Sequence, residues 1–233
     1  MIMSQDYRQY APATERNREF IVAILERVLP ATGIVLEIAS GTGEHAVFLA
    51  PRLRPRLWLP SEPNPQLRAS IAAWRSHLPV DNLYLPIDLN AGAPVWPVET
   101  EELKTEELKT EELKTEELRQ IFSDAGTAAP AITAIVNINM IHISPWAACL
   151  GLMAGAGRIL PPGGILYLYG PFQQGAQTAP SNLAFDRSLR AQDPAWGVRQ
   201  LEDVVAAAKA QGLELVEAVA MPANNLSVVF QHS

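Results

Sequence analysis

The sequence predicts an α/β fold in which helices cover both faces of a mostly parallel β-sheet. Short apolar runs typical of buried strands alternate with amphipathic helical patterns along the chain, and turn residues separate them. The last two strand patterns have no helix between them and are joined by the residues 221–225, so we expect them to pair antiparallel at one edge of the sheet. We expect a single domain over residues 1–233.

The elements follow from local pattern and turn chemistry. Buried strands are expected at 34–39, 57–61, 83–87, 132–138 and 165–169, and two final strands near 213–220 and 226–231. Helices are expected after a cap at Thr14, after the glycine turn at 41–43, after the cap Asn64 with Pro65 in the first turn, after a cap at Ser144, and around 201–211 before Gly212. Ligands of such sheets bind beyond the carboxyl ends of the strands.

Composition excludes several classes of protein. Hydrophobic residues make up 48% of the 233, too many for a disordered chain. No apolar run reaches the roughly 18 residues of a membrane span, and the polar first residues lack a signal-peptide core. Cys149 is the only cysteine, which excludes an internal disulfide and a cysteine-based zinc site. We therefore expect a soluble, cytoplasmic protein, and the oligomeric state stays open.

Charge is concentrated in one low-complexity segment. Residues 100–119 are four tandem pentapeptides of the form TEELK or TEELR, and residues 99–119 carry a net charge of −5 out of −7. A five-residue period makes the leucines spiral around a helix, so they form no stripe that could pack. We expect a solvated, partly helical insertion between the third and fourth strands. The remaining sequence shows no basic face, and nucleic acid is not favoured as a partner.

The predicted strand ends bring polar residues to one rim of the sheet. The first strand leads from Glu37 into the turn 39–43, and Gly41 and Gly43 there satisfy the G-x-G-x-x-A dinucleotide fingerprint. The second strand ends at Ser61 and Glu62, the third at Asp88. The fourth ends in two amides, Asn137 and Asn139.

The acids of this rim distinguish two possible nucleotides. A pyrophosphate prefers bare backbone N–H groups, and Glu37 and Glu44 on either side of the turn would repel it. S-adenosylmethionine carries an ammonium and a sulfonium, so carboxylates suit it. Glu62 would take the ribose hydroxyls, although this role fits either ligand. The acids therefore predict S-adenosylmethionine, with a dinucleotide as the alternative.

Longer strings carry a resemblance that the glycine turn alone does not. The order VLEIASGTG, PSEPN, PIDLN, NINMIHISPW and RILPPGGILYLYGPF resembles the class I S-adenosylmethionine-dependent methyltransferases. More narrowly, APATERN, TAPSNLAFDRSLRAQDPAWGVRQLEDV and MPANNLSVVF are similar to the family called domain of unknown function 938, the relatives of methyltransferase-like protein 26. The resemblance covers nearly the whole chain and implies a Rossmann-like seven-stranded sheet with an antiparallel last strand. It departs from the wider class at Ala39, where glycine is frequent, and at Glu37, where aspartate is more common.

The resemblance and the strand ends together give a set of candidate site residues. Carried over by position, Glu62 is the ribose acid and Asp88 the adenine-side acid. The complete cofactor set is Arg16, Asn17, Glu37, Ala39, Ser40, Gly41, Gly43, His45, Glu62, Asp88 and Asn139. His142 and Tyr169 are candidates for catalysis or substrate contact, and a structural role is the alternative for each. No metal site is expected.

The sequence thus predicts a methyltransferase that uses S-adenosylmethionine, with a small-molecule acceptor. Methyl transfer from a sulfonium is an in-line displacement that depends mainly on alignment, with a base where the acceptor carries a proton. A protein or RNA methyltransferase is one alternative. A non-catalytic cofactor-binding scaffold is the other.

Overall fold

A computed structural model of the protein describes residues 6–99 and 131–233, so the repeat at 100–119 lies outside the described residues. Seven strands of these residues form one mixed sheet. They are β1 (Ile34–Ile38), β2 (Leu57–Ser61), β3 (Ile132–Ile138), β4 (Ile165–Gln173), β5 (Arg199–Gln200), β6 (Leu213–Met221) and β7 (Asn225–His232). Their order is β2-β1-β3-β4-β7-β6, and β5 pairs with the end of β4.

The sheet is parallel through its centre and antiparallel at one side. β1 pairs in parallel with β2 and β3, β3 pairs in parallel with β4, and β7 runs antiparallel to both β4 and β6. The register places Ile38 opposite both Ser61 and Asn137, and Ile138 opposite Tyr169. The carboxyl ends of four strands therefore meet at one edge, as the sequence predicts, and the antiparallel last strand is confirmed.

Six helices of the described residues flank the sheet. They are α1 (Pro12–Val28), α2 (Glu44–Leu49), α3 (Pro65–His77), α4 (Trp146–Ile159), α5 (Pro180–Gln192) and α6 (Leu201–Lys209). Alternate strand residues face opposite sides, so that Leu36 and Val35 belong to two separate apolar clusters. One cluster packs α4 and α6 against the sheet, and the other packs α1 and α2. No helix of residues 6–99 or 131–233 is both long and apolar enough to cross a bilayer.

Three local predictions differ from the structure. Residues 83–87 follow the edge of β2 through two isolated bridges and do not form a regular strand, because Pro86 has no N–H to donate. Thr14 does not cap α1; the helix begins at Pro12 after Ala11, and Thr14 is buried inside it. Ser144 does not cap α4 either, since Pro145 is the N-cap and the Ser144 hydroxyl lies 3.2 Å from the Met140 sulfur.

One helix has no counterpart among the sequence predictions. α5 has only Asn182 and Leu189 buried, so it shows little of the apolar periodicity that identifies a helix. Asn64, by contrast, caps α3 as predicted, because its side-chain oxygen accepts from the N–H groups of Gln66 and Leu67. The cap at Asn64 was therefore predicted correctly, unlike those at Thr14 and Ser144, and the weakly amphipathic α5 was not predicted.

Candidate functional site

The turn after β1 combines three left-handed backbone positions. Ala39, Gly41 and Gly43 have φ of 56°, 57° and 90°, and Ser40 N–H donates to the Ser61 carbonyl at 2.9 Å. A Cβ on Gly43 would lie 2.8 Å from the Ile71 Cα, so this position is closed by packing. A Cβ on Gly41 would meet nothing within 4 Å. The turn therefore exposes Gly41 while Gly43 is fixed against α3.

A first cavity of about 470 Å³ lies directly above this turn. Two carboxylates line it, and no lysine or arginine does. Its walls are Ala11, Ala13, Thr14, Glu37, Ala39, Ser40, Gly41, Thr42, His45, Glu62, Pro63, Leu67, Ile138, Asn139, Met140 and Ile143. The strand ends thus form an acidic floor with small residues above it.

Glu37 is the deeper of the two acids, with 1% of its surface exposed. Trp58 Nε1 donates to its Oε2 at 2.9 Å. Burial raises the pKa of Glu37 to about 7, against the lowering effect of the hydrogen bonds from Trp58 and Ser40. A cation in the first cavity would favour the ionised form of this carboxyl.

Glu62 is held by backbone groups on both oxygens. Gly41 N–H donates to Oε2 at 3.0 Å and Asn64 N–H donates to Oε1 at 3.1 Å. Each carboxylate oxygen can accept a second hydrogen bond, so both keep a lone pair for a ligand. Burial raises the pKa of Glu62, while the two backbone N–H groups act in the opposite direction.

The segment before α1 is fastened across this end of the molecule. Gln9 N–H donates to Ser70 Oγ at 2.8 Å, and Trp74 Nε1 donates to the Gln9 carbonyl at 3.0 Å. Ala11 N–H donates to Glu44 Oε2. Glu44, which the sequence argument set against a phosphate, therefore lies outside the cavity lining and holds the segment that contributes Ala11 to the wall.

A hydrogen-bonded row of side chains connects the first cavity to a second one. His45 Nε2 lies 2.8 Å from Asn17 Oδ1, and Asn17 and Asn225 both hydrogen-bond to Tyr169. Burial, with the charge of Arg18 as a smaller cause, lowers the pKa of His45 to about 4, so its ring is neutral at physiological pH.

The second cavity, of about 540 Å³, lies against α5 and the β6–β7 turn. Its residues come from five separate segments: Ala13, Arg16, Asn17, Asn139, His142, Ile143, Tyr169, Pro171, Ser181, Asn182, Phe185, Pro222, Ala223 and Asn225. Ala13, Asn139 and Ile143 line both cavities, which are therefore adjacent. Arg16 is the one charged side chain that lines the second cavity, and no carboxylate does.

His142 and Tyr169 both lie in the second cavity and are both buried. The Nδ1 atom of His142 has no hydrogen-bond partner among the described residues. Burial, and to a lesser extent the charge of Arg199, lowers the pKa of His142 to about 4. Burial raises the pKa of Tyr169. Both groups are therefore neutral at physiological pH.

The structure distributes the candidate residues between the two cavities. The first cavity contains Glu37, Ala39, Ser40, Gly41, His45, Glu62 and Asn139. Three residues predicted for the cofactor, Arg16, Asn17 and Asn139, line the second cavity. Gly43 lies beneath the turn, and Asp88 lies outside both linings, where its Oδ2 is 2.9 Å from Arg68 Nη2.

Sequence reasoning missed one wall of the second cavity. Phe185 and Asn182 come from α5, and Pro171 comes from an extension of β4 beyond its predicted end. No chemical motif marks these residues. Within the ranges 6–99 and 131–233, no group of three or more His, Cys, Asp or Glu is placed to hold a metal ion.

Solved structures of methyltransferases share this fold. An O-methyltransferase family protein from Burkholderia thailandensis matches with a TM-score of 0.68 at 11% identity, over 95% of this chain and 57% of that one. Human N-acetylserotonin methyltransferase, in complex with SAM, matches with 0.66 at 9% identity, over 95% and 53%. An O-methyltransferase family 2 protein from Planctomyces limnophilus, in complex with apigenin, matches with 0.62 at 17% identity, over 94% and 62%.

These identities show a common fold and nothing finer. The chain spans between 53% and 62% of the length of these three structures. Residues 8–232 match the family described as "Protein of unknown function (DUF938)". The chain therefore belongs to that family and has the fold of the class I S-adenosylmethionine-dependent methyltransferases.

Proposed function

We propose that this protein is an S-adenosylmethionine-dependent methyltransferase that acts on a small-molecule acceptor. The observation that carries the proposal is a pair of adjacent cavities, one with an acidic floor and one with apolar walls, that meet at Ala13, Asn139 and Ile143. Donor and acceptor held on either side of these three residues would face each other, which is the main requirement of an in-line methyl transfer.

The first cavity fits S-adenosylmethionine in both charge and space. Two carboxylates and no cationic side chain line it, which favours an ammonium and a sulfonium and disfavours a pyrophosphate. Glu62, with one lone pair left on each oxygen, is suited to ribose hydroxyls. Open space at Gly41 allows a ligand to approach the backbone of the turn. When bound, the cofactor supplies an electrophilic methyl group.

The chain's own residues then position the acceptor. The second cavity lies within the range of small-ligand pockets, about 300–1,000 Å³. His142 and Tyr169, both neutral at physiological pH, line this cavity and are the candidates for contact with the acceptor. The hydrogen-bonded row of His45, Asn17 and Tyr169 connects the two cavities and fixes side chains that line both.

Calorimetric titration with S-adenosylmethionine and with NADH tests the cofactor. We expect S-adenosylmethionine to bind and NADH not to bind. Gly41→Val should weaken binding at least tenfold, because its side chain would enter the first cavity. Gly175→Val is the matched control: Gly175 has φ of 54°, also has nothing within 4 Å of a built Cβ, and lies outside the lining.

A second pair of variants tests the acids. Glu62→Gln should raise the dissociation constant of S-adenosylmethionine about 10- to 100-fold, since hydrogen bonds to a charged group contribute roughly 1.5–3 kcal/mol. Asp88→Asn tests the adenine-side role that the family resemblance implies. Binding of NADH without S-adenosylmethionine would overturn the proposal. Cofactor binding without transfer of a tritiated methyl group to any fraction of a metabolite extract would support the scaffold instead.

A further inference from the structure

One arginine joins separate segments at the corner where β2 leads into α3. Arg68 Nη1 donates to the Glu62 carbonyl at 2.7 Å and to the Pro63 carbonyl at 2.8 Å. Its Nη2 lies 2.9 Å from Asp88 Oδ2, and 13% of the Arg68 side chain is exposed. A planar guanidinium presents several donors in a fixed fork, so one side chain can hold all three oxygens. Arg68 lies outside both cavity linings and therefore fixes this corner without occupying ligand space.

The backbone that Arg68 holds carries a carboxyl group of the first cavity. Both carboxyl oxygens of Glu62 accept from backbone N–H groups, those of Gly41 and Asn64. The Glu62 N–H donates to the Ile87 carbonyl at 3.0 Å, and the Arg68 N–H donates to the Asn64 carbonyl at 3.0 Å. Side-chain and main-chain contacts of Arg68 thus hold residues 62–64 together. A displacement of these residues would move the carboxyl that lines the cavity.

The charge of Arg68 favours the ionised form of the same carboxyl. Burial raises the pKa of Glu62, the two backbone N–H groups lower it, and the charge of Arg68 lowers it further against the opposing charge of Asp88. Glu37 is the other acid of the first cavity, and the charge of Glu62 is the smallest of the causes that change the pKa of Glu37. Among the charged groups of the described residues that act on these two carboxyls, Arg68 is the cation.

We propose that Arg68 is a positioning residue of the cofactor site, which holds Glu62 in place and keeps its carboxyl ionised for the ribose hydroxyls. The inference rests on the proposed function and adds a residue outside both cavities. Because Arg68 acts through Glu62, it should affect S-adenosylmethionine binding only while the Glu62 carboxyl is present. Without the charge of Arg68 the pKa of Glu62 rises further, so more of the carboxyl is protonated at a given pH. The loss of affinity is therefore largest at low pH.

The test is a double-mutant cycle in the affinity for S-adenosylmethionine, measured by calorimetry at pH 6 and pH 8. At pH 6, Arg68→Gln should raise Kd roughly fivefold or more in the wild-type background and less than about twofold in the Glu62→Ala background. The ratio of the Kd of Arg68→Gln to that of the wild type should fall by roughly half between pH 6 and pH 8. This ratio removes the titration of Glu37, which both proteins share.

Two further variants separate position from charge and from general stability. Arg68→Lys keeps the charge but lacks the fork that holds three oxygens, so Kd should rise at both pH values while the pH dependence stays that of the wild type. Arg56→Gln is the matched control, because Arg56 likewise donates to three backbone carbonyls and lines neither cavity. Arg56→Gln should lower the unfolding free energy and leave Kd unchanged at both pH values.

Several results would overturn the inference. Equal fold changes in the two backgrounds would show that Arg68 does not act through Glu62. A Kd ratio that is constant with pH would show that the charge of Arg68 does not keep the carboxyl ionised. An equal loss of affinity in Arg56→Gln would reduce the effect to general destabilisation. Normal wild-type binding with an unaffected Arg68→Gln rejects this inference alone, whereas a wild-type protein that does not bind S-adenosylmethionine rejects the proposed function as well.

Discussion

The two cavities are neighbours with opposite electrostatic character. The first has Glu37 and Glu62 and no cationic side chain, whereas the second has Arg16 and no carboxylate. They share only small, amide or apolar residues at their junction. In a chain with a net charge of −7, an acidic cavity thus adjoins one that has no carboxylate in its lining.

They are also built from different parts of the chain. The floor of the first cavity is backbone: a turn with three left-handed residues, anchored to β2 and packed on α3. The second is assembled from side chains of five separate segments. Backbone turns tolerate few substitutions, whereas a side-chain wall can change its chemistry while the fold stays constant. Substitutions around the first cavity should therefore lower the stability of the protein, whereas substitutions around the second should change which ligands it binds.

A pair of glycine substitutions tests this difference most strongly. Gly43→Ala should lose about 3–4 kcal/mol of unfolding free energy, because its Cβ would meet the Ile71 Cα at 2.8 Å and its φ is 90°. Gly170→Ala should lose less, about 1–2 kcal/mol, because its Cβ would lie 3.3 Å from His142 Nδ1, a side-chain atom, and its φ of 159° lies only at the margin of the region that strains other residues. Urea denaturation measures both. Equal losses would mean that the second cavity is as rigidly built as the first.

A charge removal in the first cavity gives the next effect. The pKa of Glu37 is raised from 4.5 to about 7, so the unfolded chain ionises this carboxyl at lower pH than the folded protein does. Wild-type stability therefore contains a loss that grows between pH 4.5 and 7. Glu37→Gln should remove that loss and gain up to about 3 kcal/mol relative to wild type on going from pH 5 to pH 8.

The same variant should bind S-adenosylmethionine less tightly, so stability and affinity move in opposite directions. The comparison is made as the difference between variant and wild type, because His45 and His142, with pKa lowered to about 4, give both proteins a stability gain between pH 4 and 6.5. The unfolding free energy of each protein is measured by denaturant titration as a function of pH. If the curves of the variant and the wild type are parallel, Glu37 is ionised in the folded protein over the whole range and the expectation is wrong.

The smallest expected effect comes from the residue that connects the cavities. Asn17 contacts His45 on one side and Tyr169 on the other, and each hydrogen bond contributes roughly 0.5–1.5 kcal/mol. Asn17→Ala should lose about 1–2 kcal/mol and weaken both cofactor and acceptor binding a fewfold. Gln192→Ala at the end of α5 is a control. A loss confined to one ligand would show that the row does not couple the two cavities.

The sequence predicted the first cavity far better than the second, for a physical reason. Glu37, Gly41 and Glu62 each follow directly after a strand, and parallel strands bring their carboxyl ends to one edge. Residues close together in the sequence were therefore enough to predict this edge of the sheet and the helix cap at Asn64. The strand predicted at 83–87 is wrong, because Pro86 interrupts the pairing with β2 and leaves only two isolated bridges.

The second cavity depends on long-range packing that no local pattern encodes. Phe185 reaches it from a helix with only two buried residues, and Pro222 and Asn225 reach it from the β6–β7 turn. Arg16 was expected beside the cofactor because α1 covers this edge of the sheet. Arg16 lines the second cavity and not the first, and its contact with the cofactor stays a prediction.

The burial of Cys149 has a practical consequence for labelling. It is the only cysteine of the chain, it is fully buried in the apolar cluster that includes residues of α4, α6 and the sheet, and burial raises its pKa to about 12. A thiol in that state does not react with maleimides, because the thiolate is the nucleophile. The native chain thus serves as an unreactive background without any removal of cysteine. A cysteine introduced at exposed Ile143, on the wall common to both cavities, would carry a single fluorophore that responds to ligands on either side.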